Sequence, residues 1–225
     1  MDDDAILVER ARGGDFGAFE ALVGRHEGRL YGIARGILRS PEDAEDAVQT
    51  AFLSVLEHLG EFRGEAPFSS WIAQIVSNAA LKILRKRRGL PLAAPLGGEE
   101  EEGDIAHPEF IADWGGDPAR LAEDREVRKV LEGAIDGLPE GQRLVFVLRD
   151  MAGKSVAETA EALGISRANV KVRLLRARLA LRERLTRVFG VPGRRLEASH
   201  DHGGGRSTPA AEILRRYRES EGGAA

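Results

Sequence analysis

The stretch from Ser155 to Arg178, SVAETAEALGISRANVKVRLLRAR, decides the fold. Ser155 and Glu158 stand at capping-box spacing, so each satisfies a free backbone N–H of the other's turn and starts a helix before Val156, Ala160 and Leu163. Gly164 ends that helix, and Ser166 can cap a second, longer one reaching about Val188. Two helices joined by a tight turn at Gly164-Ile165 are the parts of a helix-turn-helix. At about 100° per residue, Val170, Leu174, Ala177 and Leu181 share a face that should pack on the preceding helix. The opposite side carries Ala168, Lys171, Val172, Leu175, Arg176 and Leu179, with Arg167 and Asn169 near the N-terminal end and Arg173 between.

Charge sharpens this reading. The whole chain of 225 residues has a net charge of -4, yet residues 154–187 hold nine cations against three acids. Cations along such a helix can neutralise phosphates, and Arg, Lys and Asn can read base edges. Val172 and Leu175, odd on a solvated face, suit the methyl group of thymine. The plainer account is a basic helix hairpin in a bundle, its arginines solvated. The capping box, the glycine turn and the apolar opposite face together favour DNA binding.

Outward from this stretch the chain reads as all-α, because apolar residues recur at three and four positions and strand-like alternation is nearly absent. A short helix over about Asp4 to Arg12 stops at Gly13-Gly14. Asp15 caps the next, with Phe16, Phe19, Leu22, Val23, His26, Leu30, Ile33 and Ile37 as its stripe. Ser40-Pro41 starts a third, with Ser as cap and Pro at the first helical position. Its stripe is Ala44, Ala47, Val48, Ala51, Phe52, Val55, Leu56 and Leu59. A loop from Gly60 to Pro67 leads to a fourth helix with Trp71, Ile72, Ile75, Val76, Ala79 and Ile83 inward, ending in the cationic run Lys82 to Arg88. Residues 1–90 are thus one small helical domain.

From 91 to 124 the composition turns to Pro, Gly and acid, including the run Glu99 to Glu102, which reads as a flexible, self-repelling acidic linker. Ile105, Phe110, Ile111 and Trp114 are too apolar for a pure spacer and suggest docking on a partner. Residues 125–189 form the second domain, with helices carrying Val127 to Leu138 and Pro139 to Leu148 ahead of the helix-turn-helix. Residues 190–225 read as a tail, with a short helix from Pro209 to Arg218 capped by Thr208.

The composition excludes several classes. No apolar run approaches 18 residues, and the acidic start Met1-Asp2-Asp3-Asp4 is unlike a signal peptide, which points to the cytoplasm. Zero cysteines remove disulfides, thiol nucleophiles and cysteine-ligated zinc. No Walker-type loop, metal-spaced His/Cys cluster or nucleophile elbow is present, so no catalytic residue, metal, cofactor or small-molecule substrate is expected. His200-Asp201-His202 in a Gly-rich tail is a weak metal signal.

Two motif sets carry a family resemblance. The first is Leu138-Pro139-Glu140, the segment Ser155 to Ser166, and Val170 to Arg178. The second is Asp43-Ala44-Glu45-Asp46-Ala47-Val48-Gln49, then Phe62 to Ile72, then Ile75-Val76-Ser77-Asn78. Together they resemble the extracytoplasmic-function sigma factors of the sigma-70 family, over about residues 4–88 and 125–188. The resemblance implies a non-enzymatic protein that binds core RNA polymerase and directs initiation at promoter DNA through −10 and −35 elements. It implies that Asp43, Asp46 and Gln49 meet the polymerase, with Thr50 where relatives are usually acidic. Phe62, Arg63, Asn78, Lys82, Arg85 and Lys86 would bind the opened −10 strand. Arg167, Asn169, Lys171, Val172, Arg173, Leu175 and Arg176 would bind the −35 element. An anti-sigma factor is the usual further partner.

Two other readings compete. A free-standing helix-turn-helix regulator accounts for residues 155–178 but leaves the acidic third helix and the Phe62–Trp71 segment unexplained. Metal-dependent phosphoryl transfer by Asp43, Glu45 and Asp46 fails on two counts, since these carboxylates do not share one helix face and lack a phosphate loop.

Overall fold

The computed structural model describes residues 3–91, 94–96, 110–114 and 125–197. Its first four helices are α1 (Asp3–Arg12), α2 (Phe16–Leu38), α3 (Pro41–His58) and α4 (Phe68–Arg87), with a 3-10 turn at Leu59–Glu61. The expected caps are in place: the Asp15 side chain accepts from the Ala18 N–H, and Ser40 from the Asp43 N–H. Leu22, Leu30, Ile33 and Ile37 of α2 are fully buried against Ala44, Ala47, Ala51 and Val55 of α3 and Ile72, Val76 and Ala80 of α4. The alanines let three helix axes approach closely, and each buried Leu or Ile contributes about 1.5–3 kcal/mol.

Some expected core positions face outward. Phe16 is 78% exposed and Leu56 is 49% exposed, because each lies at the edge of its stripe where no neighbouring helix arrives. Trp71, Ile75, Ala79 and Ile83 are half-buried, and the inward face of α4 is Ile72, Ala73, Val76, Ala80 and Leu84.

The second set is α5 (Arg125–Asp136), α6 (Glu140–Phe146), a π turn at Val147–Met151, α7 (Val156–Leu163) and α8 (Arg167–Phe189). The capping box forms in full between Ser155 and Glu158, and Gly164 adopts φ 68, the left-handed conformation that a glycine enters without steric cost. A Cβ at Gly164 would also lie 2.8 Å from Pro95, so the glycine lets the chain leaving the first domain lie against the turn of the second.

The two domains share one core. Leu144, Val145, Val147 and Leu148 are fully buried in the cluster that holds α2, α3 and α4. Gly36 of α2 faces Val147, where a Cβ would come within 2.8 Å of the valine side chain. Arg143, 1% exposed, donates to the Gly36 and Ile37 carbonyls at the end of α2, two groups left without intrahelical partners. Its positive charge suits the negative end of that helix dipole. Burial lowers its pKa, and nearby Glu140 and Asp136 oppose the shift. Arg29 bridges the Ser69 and Met151 carbonyls at 2.9 Å each, and Arg88 pairs with Glu140.

The stretch read as a flexible linker enters the fold at two places. Leu96 is buried, and its N–H donates to the Leu163 carbonyl at 2.9 Å. Residues 110–114 form β1 (Phe110–Trp114), which pairs antiparallel with β2 (Gly190–Glu197) and packs on α8. The apolar segment noted in the sequence thus meets its own chain. Glu99 to Glu102, Ile105, His200 to His202 and the short helix expected over Pro209 to Arg218 lie outside the described residues.

Candidate nucleic-acid and polymerase interface

Three groups of residues make up the site. On α8, Arg167, Ala168, Asn169, Lys171 and Val172 are all exposed, with Val172 at 38%. Ser166 caps the helix by accepting from the Asn169 N–H at 3.1 Å, which fixes how this first turn projects. Val170, Leu174 and Ala177 are buried as the helical wheel requires.

Two residues expected on this surface are elsewhere. Leu175 is 8% exposed and Arg173 only 2%. The wheel considered packing against the preceding helix alone, whereas α8 also packs against α5, α6 and β1. Arg176 is half-buried. Of the residues expected to read the −35 element, those that are exposed therefore lie in the first turn and a half of α8.

The second group surrounds the loop between α3 and α4. The Phe62 ring lies 5.0 Å from Trp71 and 5.8 Å, edge to face, from Phe68, which itself lies 5.9 Å from Trp71. Such clusters favour offset and edge-on contacts, which fix the orientation of each ring. Arg63, Lys82 and Lys86 are exposed. Asn78 is exposed as well, but its amide oxygen accepts from the Lys154 ammonium at 3.0 Å. Lys154 precedes the helix-turn-helix and is 5% exposed; burial lowers its pKa and Glu158 opposes the shift. Arg85, expected to hold phosphates of the opened strand, is engaged elsewhere. It is half-buried, donates to the Ala162 carbonyl of α7 at 2.6 Å, and its pKa is lowered by burial.

The third group lies along α3. Asp46, Gln49 and Thr50 are exposed on the side opposite the buried alanines. Leu53, two turns beyond Asp46, continues this side at 63% exposure. It escaped the sequence reading, although its spacing of seven from Asp46 was the available signal. Asp43 is half-buried and pairs with Arg87 at 2.5 Å. A leucine ringed by acid and amide is the composition of a protein interface, and its negative charge would repel phosphates.

Among the described residues, no helix is long and apolar enough to cross a membrane. The chain matches the Sigma-70 region 2 family over residues 22–89 and the Sigma-70, region 4 family over residues 128–181. An ECF RNA polymerase sigma factor, SigM, of Mycobacterium tuberculosis is 38% identical over 83% of this chain and 85% of its own. The ECF RNA polymerase sigma-E factor of Escherichia coli is 30% identical, covering 79% of this chain and 92% of its own. A solved structure of CnrH with the cytosolic domain of CnrY matches at 28% identity and TM-score 0.47, over 83% of this chain and 99% of that one. Both helical domains are thus those of sigma-70-type proteins, in the expected order. At the finer level, the chain belongs to the extracytoplasmic-function RNA polymerase sigma factors.

Proposed function

We infer that this chain binds core RNA polymerase through α3, with Asp43, Asp46, Gln49 and Leu53 in contact, and places it on promoters through two DNA-reading surfaces. The observation that carries this reading is the chemical split of its exposed faces. An acidic and apolar side on α3 suits a protein, while the basic first turn of α8 suits a duplex. Residues 1–90 act as the polymerase and −10 domain, 91–124 as the connection, 125–189 as the −35 domain and 190–225 as an appended tail.

At the −35 element, Arg167, Asn169 and Lys171 supply hydrogen bonds to bases and phosphates, and Val172 supplies methyl contact. Arg176 lies at the margin of this surface. Arg173 and Leu175 hold the helix in place. At the −10 element the strand must leave its stack, and Phe62 and Asn78 receive a base while Arg63, Lys82 and Lys86 hold phosphates. Arg85 joins them only once α7 moves away. The protein catalyses no reaction itself, works in the cytoplasm and is held in check by an anti-sigma partner.

Run-off transcription with purified core polymerase on a pool of genomic promoters tests the function. Discrete new transcripts that depend on this chain are expected, and their upstream sequences give both elements. Tight binding to duplex DNA alone, with no transcripts, would instead establish a free-standing regulator.

A further inference from the structure

Helix α1 lies outside the residues that match the region 2 family, yet it reaches the aromatic cluster of the −10 loop at both of its ends. Near its start, Asp4 meets His26 of α2 at 2.8 Å, and the His26 ring lies 5.5 Å from Phe68. Val8, at 2% exposure, seats the middle of the helix in the core. At its end, the Arg12 guanidinium uses all three nitrogens. Nε donates to the Leu59 carbonyl at 2.9 Å, one terminal nitrogen donates to the Phe62 carbonyl, and the other pairs with Glu9. The same guanidinium lies 5.9 Å from the centre of the Phe62 ring.

The two carbonyls bracket the 3-10 turn that launches the loop. The Phe62 N–H closes that turn onto Leu59, and Phe62 then leaves in an extended conformation with φ -65 and ψ 115. A planar fork of donors spanning two carbonyls fixes both position and direction, which a single-point cation cannot do. Only about a quarter of the Arg12 side chain is exposed, so it is poorly placed to hold a phosphate.

We propose that Arg12 is a positioning residue for −10 recognition, and that α1 is a strap setting the backbone from Leu59 to Phe62 so that the Phe62 ring is preformed for an unstacked base. This rests on the reading of Phe62 as a base receiver.

The test compares Arg12→Ala and Arg12→Lys with the unaltered chain, all carrying Trp114→Phe so that Trp71 is the single fluorescent tryptophan. Each is assembled with core polymerase and given a promoter obtained by run-off transcription. Arg12→Ala should slow promoter opening, read by permanganate reactivity at −10, by about tenfold. It should leave core affinity and −35 duplex binding within about twofold, and in the free factor, before assembly, it should raise acrylamide quenching of Trp71 as the Phe62 stack loosens. Arg12→Lys keeps the charge but loses the fork, so it should resemble the alanine variant. Wild-type opening in Arg12→Ala, or unchanged Trp71 quenching, would overturn the proposal. Full rescue by Lys would overturn it too, by assigning a charge effect. A wild-type holoenzyme that initiates nowhere would reject the −10 reading itself, and this proposal with it.

Discussion

The two regions proposed to read DNA are built on opposite plans. The first turn of α8 is fixed by its own neighbours in sequence: a serine cap, a glycine turn and a buried stripe set which way Asn169, Lys171 and Val172 project. The candidate −10 region combines a local aromatic cluster with contacts to elements distant in sequence. Phe62 is held by Trp71 and Phe68, and Asn78 and Arg85 are engaged by Lys154 and Ala162 of the second domain. The first turn of α8 is exposed, whereas Asn78 and Arg85 are committed to contacts with the second domain. For Asn78 and Arg85 to meet a DNA strand, their contacts with the second domain must open.

The largest expected effect comes from breaking the contact between domains. Arg143→Met removes two charge-assisted hydrogen bonds to buried carbonyls and should weaken docking by about 3 kcal/mol or more. Because the chain has no cysteine, single cysteines at the exposed positions Glu20 and Glu161 can carry a fluorescence-transfer pair cleanly. The distance should lengthen, and binding of a single-stranded −10 oligonucleotide by the free factor should strengthen. An unchanged distance would mean that the apolar contacts of Leu144 and Val147 suffice, and the contrast between the two regions would lose its basis.

Next come substitutions on α8 that separate reading from packing. Lys171→Ala should cost about 1–3 kcal/mol of −35 binding without changing stability, measured by duplex titration and urea unfolding. Arg173→Ala, at a buried position, should do the reverse. Equal losses of DNA affinity from both would show that α8 turns when it binds. A smaller effect is expected at the turn. Gly164→Ala places a Cβ residue in the left-handed region, which costs about 1–2 kcal/mol and presses on Pro95, lowering the unfolding midpoint.

These contrasts also explain what the sequence could reveal. The caps at Asp15, Ser40 and Ser155, the end of α7 at Gly164 and the exposed start of α8 follow from short-range chemistry and were legible. The candidate polymerase side of α3 was half legible, because Asp46 and Gln49 announce themselves by charge while Leu53 resembles any core leucine. The burial of Arg173 and Leu175, the tethering of Arg85 and the pairing of β1 with β2 depend on contacts between segments tens of residues apart. Periodicity within one helix cannot encode which second neighbour will cover its far side. Arg12 was invisible for the same reason, since its partners lie 47 and 50 residues away.

The smallest effect tests the lysine that links the two readers. Lys154 is buried against Asn78, with Glu158 as the acid nearest its charge and Arg149 donating to its carbonyl. Burial lowers its pKa below the ordinary 10.5, so the docked form binds fewer protons than the separated form in the pH range just below that value. By linkage, docking strengthens as pH rises through this window and is weakest where the amine is protonated in both forms. The fluorescence-transfer pair should therefore report a shorter mean distance as pH climbs toward 10.5. Lys154→Met should remove the slope, because a buried thioether has no proton to lose. If the methionine variant kept the slope, the titrating group would lie elsewhere in the interface, and Lys154 would be a packing residue with no part in the choice between closed and open forms.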